Sequence, residues 1–152
     1  MMERKSIMII HPDEQARRKM HSILSHFDFQ LTYANDGLHG IYGAKEVSPD
    51  LLITCIDIAV LDGLDMVSML RNEKTTQHIK TIFLHSELNL DYIRTARNLE
   101  ASAFLIKPYL DNTLIYAIKK ALGESDLSVN KQRRALTYDE CKTQHLAEIG
   151  YA

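Results

Sequence analysis

The stretch PDLLITCIDIAVLDGL, residues 49–64, decides the fold of this chain. Its segment from Leu51 to Ile56 is almost continuously apolar. A strand with one face in water alternates apolar and polar residues, so this segment predicts a parallel strand that is buried on both faces. After the loop, Leu64, Val67 and Leu70 recur at helical spacing. The stretch therefore predicts a strand, a loop and a helix in succession.

The same succession of strand and helix occurs five times along the chain. Five apolar segments of strand length alternate with segments whose apolar residues have helical spacing. Such alternation, with short connections, predicts an α/β fold in which helices cover both faces of a doubly wound parallel sheet. Asp13, Asp36 and Asp111 stand where they would cap the first, second and fifth helices. The predicted strands are Ser6–Ile10, Phe29–Ala34, Leu51–Ile56, Thr81–Leu84 and Ala103–Ile106.

The composition is that of an ordinary soluble globular chain. Of its 152 residues, 25% are charged and the formal net charge is −2, which argues against a globally basic nucleic-acid binder. The apolar run from Ile7 to Ile10 is too short for a signal peptide or a membrane span. Two cysteines, Cys55 and Cys141, are too few for a disulfide framework. We therefore expect a cytoplasmic protein.

The C-terminal part differs in composition from the five strand–helix units. Residues 123–130, GESDLSVN, have linker composition, and residues 131–134, KQRR, form a short basic run. Thr137 and Glu140 resemble a capping box that opens a helix through about Glu148. We therefore expect one domain over residues 1–123, followed by a linker and a short helical tail over residues 124–152.

Five short strings resemble the receiver domains of response regulators in two-component signalling. The resemblance runs from about residue 5 to residue 122. It implies the flavodoxin-like strand order 2-1-3-4-5 and a role in signal transduction. The strings are Arg17-Arg18, Asn35-Asp36-Gly37, Pro49-Asp50-Leu51, Asp62-Gly63-Leu64 and residues 101–109, ASAFLIKPY.

The resemblance also implies which residues occupy the phosphorylation site. In that family an aspartate at the end of the third strand accepts a phosphoryl group, and an acidic pair after the first strand holds Mg²⁺. Counted from either flanking string, the acceptor position falls on Cys55, whose thiol is not a carboxylate acceptor. The acidic pair falls on His11 and Pro12, with Asp13 one residue late. Because proline offers a hard cation no side-chain ligand, the resemblance implies a receiver without acceptor or metal pair.

Other family positions carry over to the ends of the fourth and fifth strands. In the family a Thr or Ser and a Lys there contact the phosphoryl oxygens. The hydroxyl position falls on His85, with Ser86 next to it, whereas Lys107 is retained. Phe104 stands at the switch position, where an aromatic side chain couples the site to the outer face of the last helices. Of the groups that handle phosphate, only Lys107 thus remains.

The retained lysine has more than one expected use. An ion pair between Lys107 and either Asp13 or Asp57 is the ordinary outcome for a lysine in a cleft. Its charge would also favour the thiolate of Cys55, and accessible thiols of low pKa are candidates for redox sensors.

The leading hypothesis is a pseudo-receiver that acts as a phosphorylation-independent interaction module in signalling. We expect no enzymatic activity, no cofactor and no metal. The expected partner is a signalling protein, and the face formed by the fourth helix, fifth strand and fifth helix is the expected contact, either with that partner or in a homodimer. We expect neither a membrane nor a nucleic acid among the partners.

Two other functions compete with this hypothesis. Asp57 lies two residues beyond Cys55 and would point to the same face of an extended strand, so it is an alternative phosphoryl acceptor. In the second alternative, His11, Cys55 and His85 converge on one pocket, where imidazole and thiolate ligands suit Zn²⁺ or copper. The chain would then be a metal or thiol sensor.

Overall fold

The computed structural model describes residues 4–124, 127 and 136–141. Its strands are β1 (Lys5–Ile10), β2 (Phe29–Ala34), β3 (Leu51–Cys55), β4 (Lys80–His85) and β5 (Ala103–Ile106). All neighbouring strands are parallel, and they form one sheet in the order β2-β1-β3-β4-β5. This order confirms the predicted flavodoxin-like topology. Every observed strand begins and ends within one residue of its predicted bounds.

Five helices surround the sheet. They are α1 (Glu14–Leu24), α2 (Gly37–Val47), α3 (Gly63–Arg71), α4 (Leu90–Asn98) and α5 (Asp111–Leu122). Because helices cover both faces, the inner strands are closed off from water, and residues 7–10 of β1 and 51–53 of β3 are completely buried. Within the described residues, no helix has the length and apolar character needed to cross a bilayer.

Polar side chains begin most of the helices. Asp13 and Asp36 accept backbone N–H groups at the starts of α1 and α2, as predicted. The predicted cap at Asp111 is wrong, because the residue before the helix is Leu110 and no side chain caps α5. The backbone of Asp111 is already helical, so its carboxylate lies in the first turn. There it still interacts favourably with the positive end of the helix dipole.

The start of α3 packs directly against the end of β3. Asp62 caps the helix by accepting the N–H of Asp65, and the N–H of Gly63 donates to the carbonyl of Ile56 at 2.9 Å. A Cβ atom at Gly63 would stand only 2.2 Å from the backbone oxygen of Cys55. The Asp-Gly string therefore reflects a close approach of two backbones, which fixes the end of β3 relative to α3.

Residues 136–141 lie against α1 and β2. Tyr138 and Cys141 are buried and belong to the same hydrophobic core as the sheet. A helical turn begins here, and Thr137 Oγ1 accepts the N–H of Glu140 at 3.2 Å, as a capping box requires. The rest of the predicted tail helix, as far as Glu148, lies outside the described residues. This part of the predicted tail thus packs on the domain.

Replacing Gly63 by alanine should lower the free energy of unfolding by about 2 to 3 kcal/mol, because overpacking against the Cys55 carbonyl strains both backbones. Urea denaturation measures the change. Gly123→Ala is the matched control, because Gly123 has φ 69° and a methyl group added there would meet no heavy atom within 4 Å. It should lose only about 1 kcal/mol through backbone strain. Equal losses at the two positions would contradict the close-approach explanation.

Candidate functional site

Three of the predicted site residues meet at the carboxyl edge of the sheet. His11 follows β1, Cys55 ends β3 and Lys107 follows β5. The Nζ atom of Lys107 lies 2.8 Å from Nε2 of His11 and 3.3 Å from Sγ of Cys55. The carboxyl ends of parallel strands share one edge of the sheet, which is why residues so distant in sequence come together. We call this group the Lys107 pocket.

The carboxylates expected to neutralise Lys107 lie elsewhere. Lys107 forms no ion pair with any residue that the structure describes, so the expected pairing with Asp13 or Asp57 is wrong. The Asp13 carboxylate caps α1 by accepting the N–H of Gln15 at 3.1 Å. Asp57 lies beyond the end of β3, where the chain bends, and its side chain is 77% exposed. The partners of the Lys107 amine are therefore an imidazole and a thiol.

His11 is held as a neutral ring. Burial, and next the positive charge of Lys107, lower its pKa to about 4. Its Nδ1 faces the backbone N–H of Asp13 at 3.1 Å, while its Nε2 faces the Lys107 amine. A neutral imidazole has only one acceptor nitrogen, so the ring does not accept a hydrogen bond from both donors at once. The two contacts of His11 thus compete.

Cys55 is held as a protonated thiol. It is 4% exposed, and burial raises its pKa more strongly than the nearby Lys107 amine lowers it. Lys107 favours the thiolate, as expected, but desolvation outweighs the neighbouring charge, so a thiol of low pKa is not what the site holds. Burial, with Cys55 as the next cause, also raises the pKa of Tyr109 to about 12. Both groups are uncharged at neutral pH.

The remaining predicted residues lie around the pocket without joining it. The ring of His85 is buried and turned towards Tyr92 and Phe104, whose ring centroids lie 5.1 and 6.4 Å away. His85 Nδ1 is 3.9 Å from a carboxylate oxygen of Asp57. Ser86 and, on the other side of the pocket, Pro12 are exposed. Phe104, at the predicted switch position, is half-buried and also contacts Phe83.

The proposed metal centre finds no support in this arrangement. Among the described residues, no three His, Cys, Asp or Glu side chains are placed to hold a metal ion. The amine of Lys107 contacts both His11 and Cys55. His85, the third expected ligand, packs on aromatic rings instead. The expected set of His11, Cys55 and His85 is therefore not assembled as metal ligands.

A cavity of about 290 Å³ opens beside the pocket, between α1 and the loop after β5. This volume is at the low end of the range for small-molecule sites. Lys19 and Lys107 line it together with Asp13 and Asp111, so both signs of charge reach the same space.

Arg17 is the site residue that sequence analysis missed. Its side chain is buried, Nη1 donates to the carbonyl oxygen of His11, and Nε donates to the hydroxyl of Tyr138 at 2.7 Å. Sequence analysis used Arg17 only as part of a resemblance. No local signal joins it to Tyr138, because the two residues are 121 positions apart.

Comparison with known proteins is consistent with this fold. A family model described as the response regulator receiver domain matches residues 7–119. The uncharacterized transcriptional regulatory protein YkoG of Bacillus subtilis is 24% identical, over 93% of this chain and 61% of its own length. The transcription factor prr1 of Schizosaccharomyces pombe is 28% identical, over 82% of this chain and 23% of its own. This chain therefore spans less than two thirds of either relative.

A solved structure gives the same result for the fold. The chemotaxis response regulator CheY4 of Vibrio cholerae superposes with a TM-score of 0.71 at 19% identity. The superposition covers 79% of this chain and all of that one.

Replacing Lys107 by methionine should raise the pKa of His11 above about 4, because it removes a positive charge that opposes protonation of the ring. NMR titration of the His11 ring measures the change. In the unfolded chain the ring has its ordinary pKa of 6.5, so the folded wild type loses stability as pH falls from about 6.5 to about 4. The loss should be smaller in the variant.

Lys45→Met is the control for this titration. It removes an equal charge from a surface ion pair with Glu73. The His11 titration should be unchanged in this control, and an unchanged titration in Lys107→Met would contradict the contact.

Proposed function

This chain belongs to the response regulator receiver family, and on that premise we propose that it is a pseudo-receiver, a signalling module that binds protein partners without accepting a phosphoryl group. The observation that carries the proposal is the buried thiol of Cys55 at the end of β3, 3.3 Å from the amine of Lys107. By the family resemblance, the phosphoryl-accepting carboxylate would stand at this position. A protonated thiol cannot form the acyl phosphate.

The surroundings of Cys55 support the same function. Phosphoryl transfer needs a cation that neutralises charge on the transferring oxygens, and Mg²⁺ takes several oxygen ligands. Pro12 supplies none, and the Asp13 carboxylate already caps α1. Both ring nitrogens of His11 face N–H donors. We therefore infer that this edge of the sheet has no magnesium site.

Asp57 remains the alternative acceptor, and its position counts against it. The expectation that it shares a face with Cys55 required an extended strand, but β3 ends at Cys55 and the chain then bends. The exposed Asp57 carboxylate lies beside His85 instead of Lys107. A misplacement of about 1 Å already reduces such reactions strongly.

The wild-type chain, incubated with Mg²⁺ and a small-molecule phosphodonor, should form no acyl phosphate by intact mass spectrometry. Cys55→Asp alone should also stay unlabelled, because the transition state still lacks its cation. Labelling should require acidic residues at His11 and Pro12 and threonine at His85 in addition to Cys55→Asp.

Two results would contradict this expectation. Labelling of the wild type that Asp57→Asn abolishes would establish Asp57 as the acceptor and the chain as a phosphorylated regulator. Labelling of Cys55→Asp alone would show that a cation site survives, with Asp13 as the nearby carboxylate.

We also propose a partner-binding face, because large apolar side chains are exposed on α4, on β5, on α5 and at the residue that precedes α5. Leu90 is 67% exposed, Leu110 75%, Tyr116 66% and Ile106 37%. Large exposed apolar side chains are typical of protein interaction sites where they cluster, and we infer that these four form such a cluster. We call these four residues the interaction face and propose that it binds a signalling protein or a second copy of the chain. The net charge of −2 favours a protein over a nucleic acid.

Sedimentation equilibrium tests the homodimer. If the interaction face binds a second copy, Leu110→Lys together with Tyr116→Lys should abolish the dimer, because each change buries a charge in an apolar contact. Tyr42→Lys, on the half-exposed surface of α2, should leave it intact. A wild type that stays monomeric at every concentration would refute the homodimer, and equal loss in Tyr42→Lys would refute the assignment to this face.

A further inference from the structure

Residues 136–141, which we call the latch, are recognised by specific side chains of the domain. Tyr138 is the centre of the contact, since it is 5% exposed and its ring centroid lies 4.9 Å from that of Tyr33 on β2. The guanidinium of Arg18 lies 4.7 Å above the same ring and pairs with Asp139 at 3.0 Å. A tyrosine followed by an aspartate therefore meets an aromatic ring and a cation in matching positions.

His21 contacts the backbone at the N-terminal end of the latch. Its Nε2 lies 2.7 Å from the carbonyl oxygen of Leu136, and its Nδ1 lies 2.7 Å from the hydroxyl of Tyr33. Burial lowers the pKa of His21, so the ring is neutral, donates to Leu136 and accepts from Tyr33. We call Arg17, Arg18, His21 and Tyr33 the seat. Every one of them contacts the latch through a defined polar or aromatic group.

Arg17 connects this seat to the Lys107 pocket. One guanidinium binds the Tyr138 hydroxyl through Nε and the His11 carbonyl through Nη1, and the His11 ring contacts the Lys107 amine. If the latch leaves, Nε of the buried Arg17 loses its acceptor. Water then replaces the Tyr138 hydroxyl, and the guanidinium is held on one side only, through the His11 carbonyl. We infer that the freed side chain holds His11 less firmly than it does with the latch in place.

We propose that the seat is a recognition site for a tyrosine–aspartate segment, that the chain's own latch occupies it, and that this occupancy sets the state of the Lys107 pocket through Arg17 and His11. The inference rests on the proposed function. If the receiver accepts no phosphoryl group, latch binding is the event that changes its pocket instead. By linkage, if the bound latch favours the contact between His11 and Lys107 by some factor, that contact favours latch binding by the same factor.

Cys141 is a natural reporter for the latch. It is 4% exposed, and burial raises its pKa to about 11, so N-ethylmaleimide should modify it only when the latch is released. Intact mass with peptide mapping distinguishes it from Cys55. In the full chain, Tyr138→Phe should accelerate modification of Cys141 by about tenfold or more, because it removes the acceptor of a charged donor but keeps the ring. Tyr42→Phe, on the exposed surface of α2 and outside both the seat and the interaction face, is the matched control and should have no effect.

The coupling between the latch and the Lys107 pocket is tested by changing the pocket and measuring the modification of Cys141. Lys107→Met should accelerate modification of Cys141 by about threefold or more, since His11 loses the contact that holds its ring, whereas Lys45→Met should not. In Tyr138→Ala, a synthetic peptide of residues 135–142, ALTYDECK, should bind in trans, while the wild type should bind it more weakly because its seat is filled.

The outcomes separate the parts of the proposal. An unchanged rate in Tyr138→Phe, or no peptide binding to Tyr138→Ala, would overturn the recognition site. An accelerated rate in Tyr138→Phe with an unchanged rate in Lys107→Met would overturn the coupling. Neither readout depends on phosphorylation, so labelling of the wild type by a phosphodonor would refute the pseudo-receiver function and leave the latch measurements valid.

Discussion

The amine of Lys107, between the imidazole of His11 and the thiol of Cys55, is the contact around which the site is organised. It joins the carboxyl ends of three strands that are far apart in sequence. Since neither neighbour carries a negative charge, the lysine is stabilised by hydrogen bonding alone. Burial, and next the charge of Lys107, lowers the pKa of His11, and the described residues bring no group of three metal-ligating side chains together.

Much of the fold could be predicted because it depends on burial along short segments. Strands covered on both faces become continuous apolar runs, so their positions and the parallel sheet follow from the sequence. Helix starts were less certain, as Asp111 shows, since a cap depends on where the backbone turns and not on the residue alone. The meeting of His11, Cys55 and Lys107 followed from the family resemblance together with the rule that parallel strands share an edge.

The parts that could not be predicted depend on packing between distant side chains. His85 lies at the expected strand end, but its ring packs against Tyr92 and Phe104. Nothing in the local sequence indicates that orientation. Desolvation of Cys55 likewise depends on what covers it. The contact between Arg17 and Tyr138 joins two ends of the chain. Such contacts are decided by tertiary structure, which local sequence patterns do not encode.

The uncharged state of His11 and Cys55 leaves the centre of this site without an anionic group. A site built from several carboxylates has a negative field and stays loaded with divalent cations, so its conformation varies with their concentration. In the Lys107 pocket itself, the three contacting side chains contribute one positive charge and no negative one, and the carboxylates of Asp13 and Asp111 line only the neighbouring cavity. If the proposed function holds, the centre of this site offers a divalent cation no anionic ligand, and the state of the domain then does not vary with the magnesium concentration.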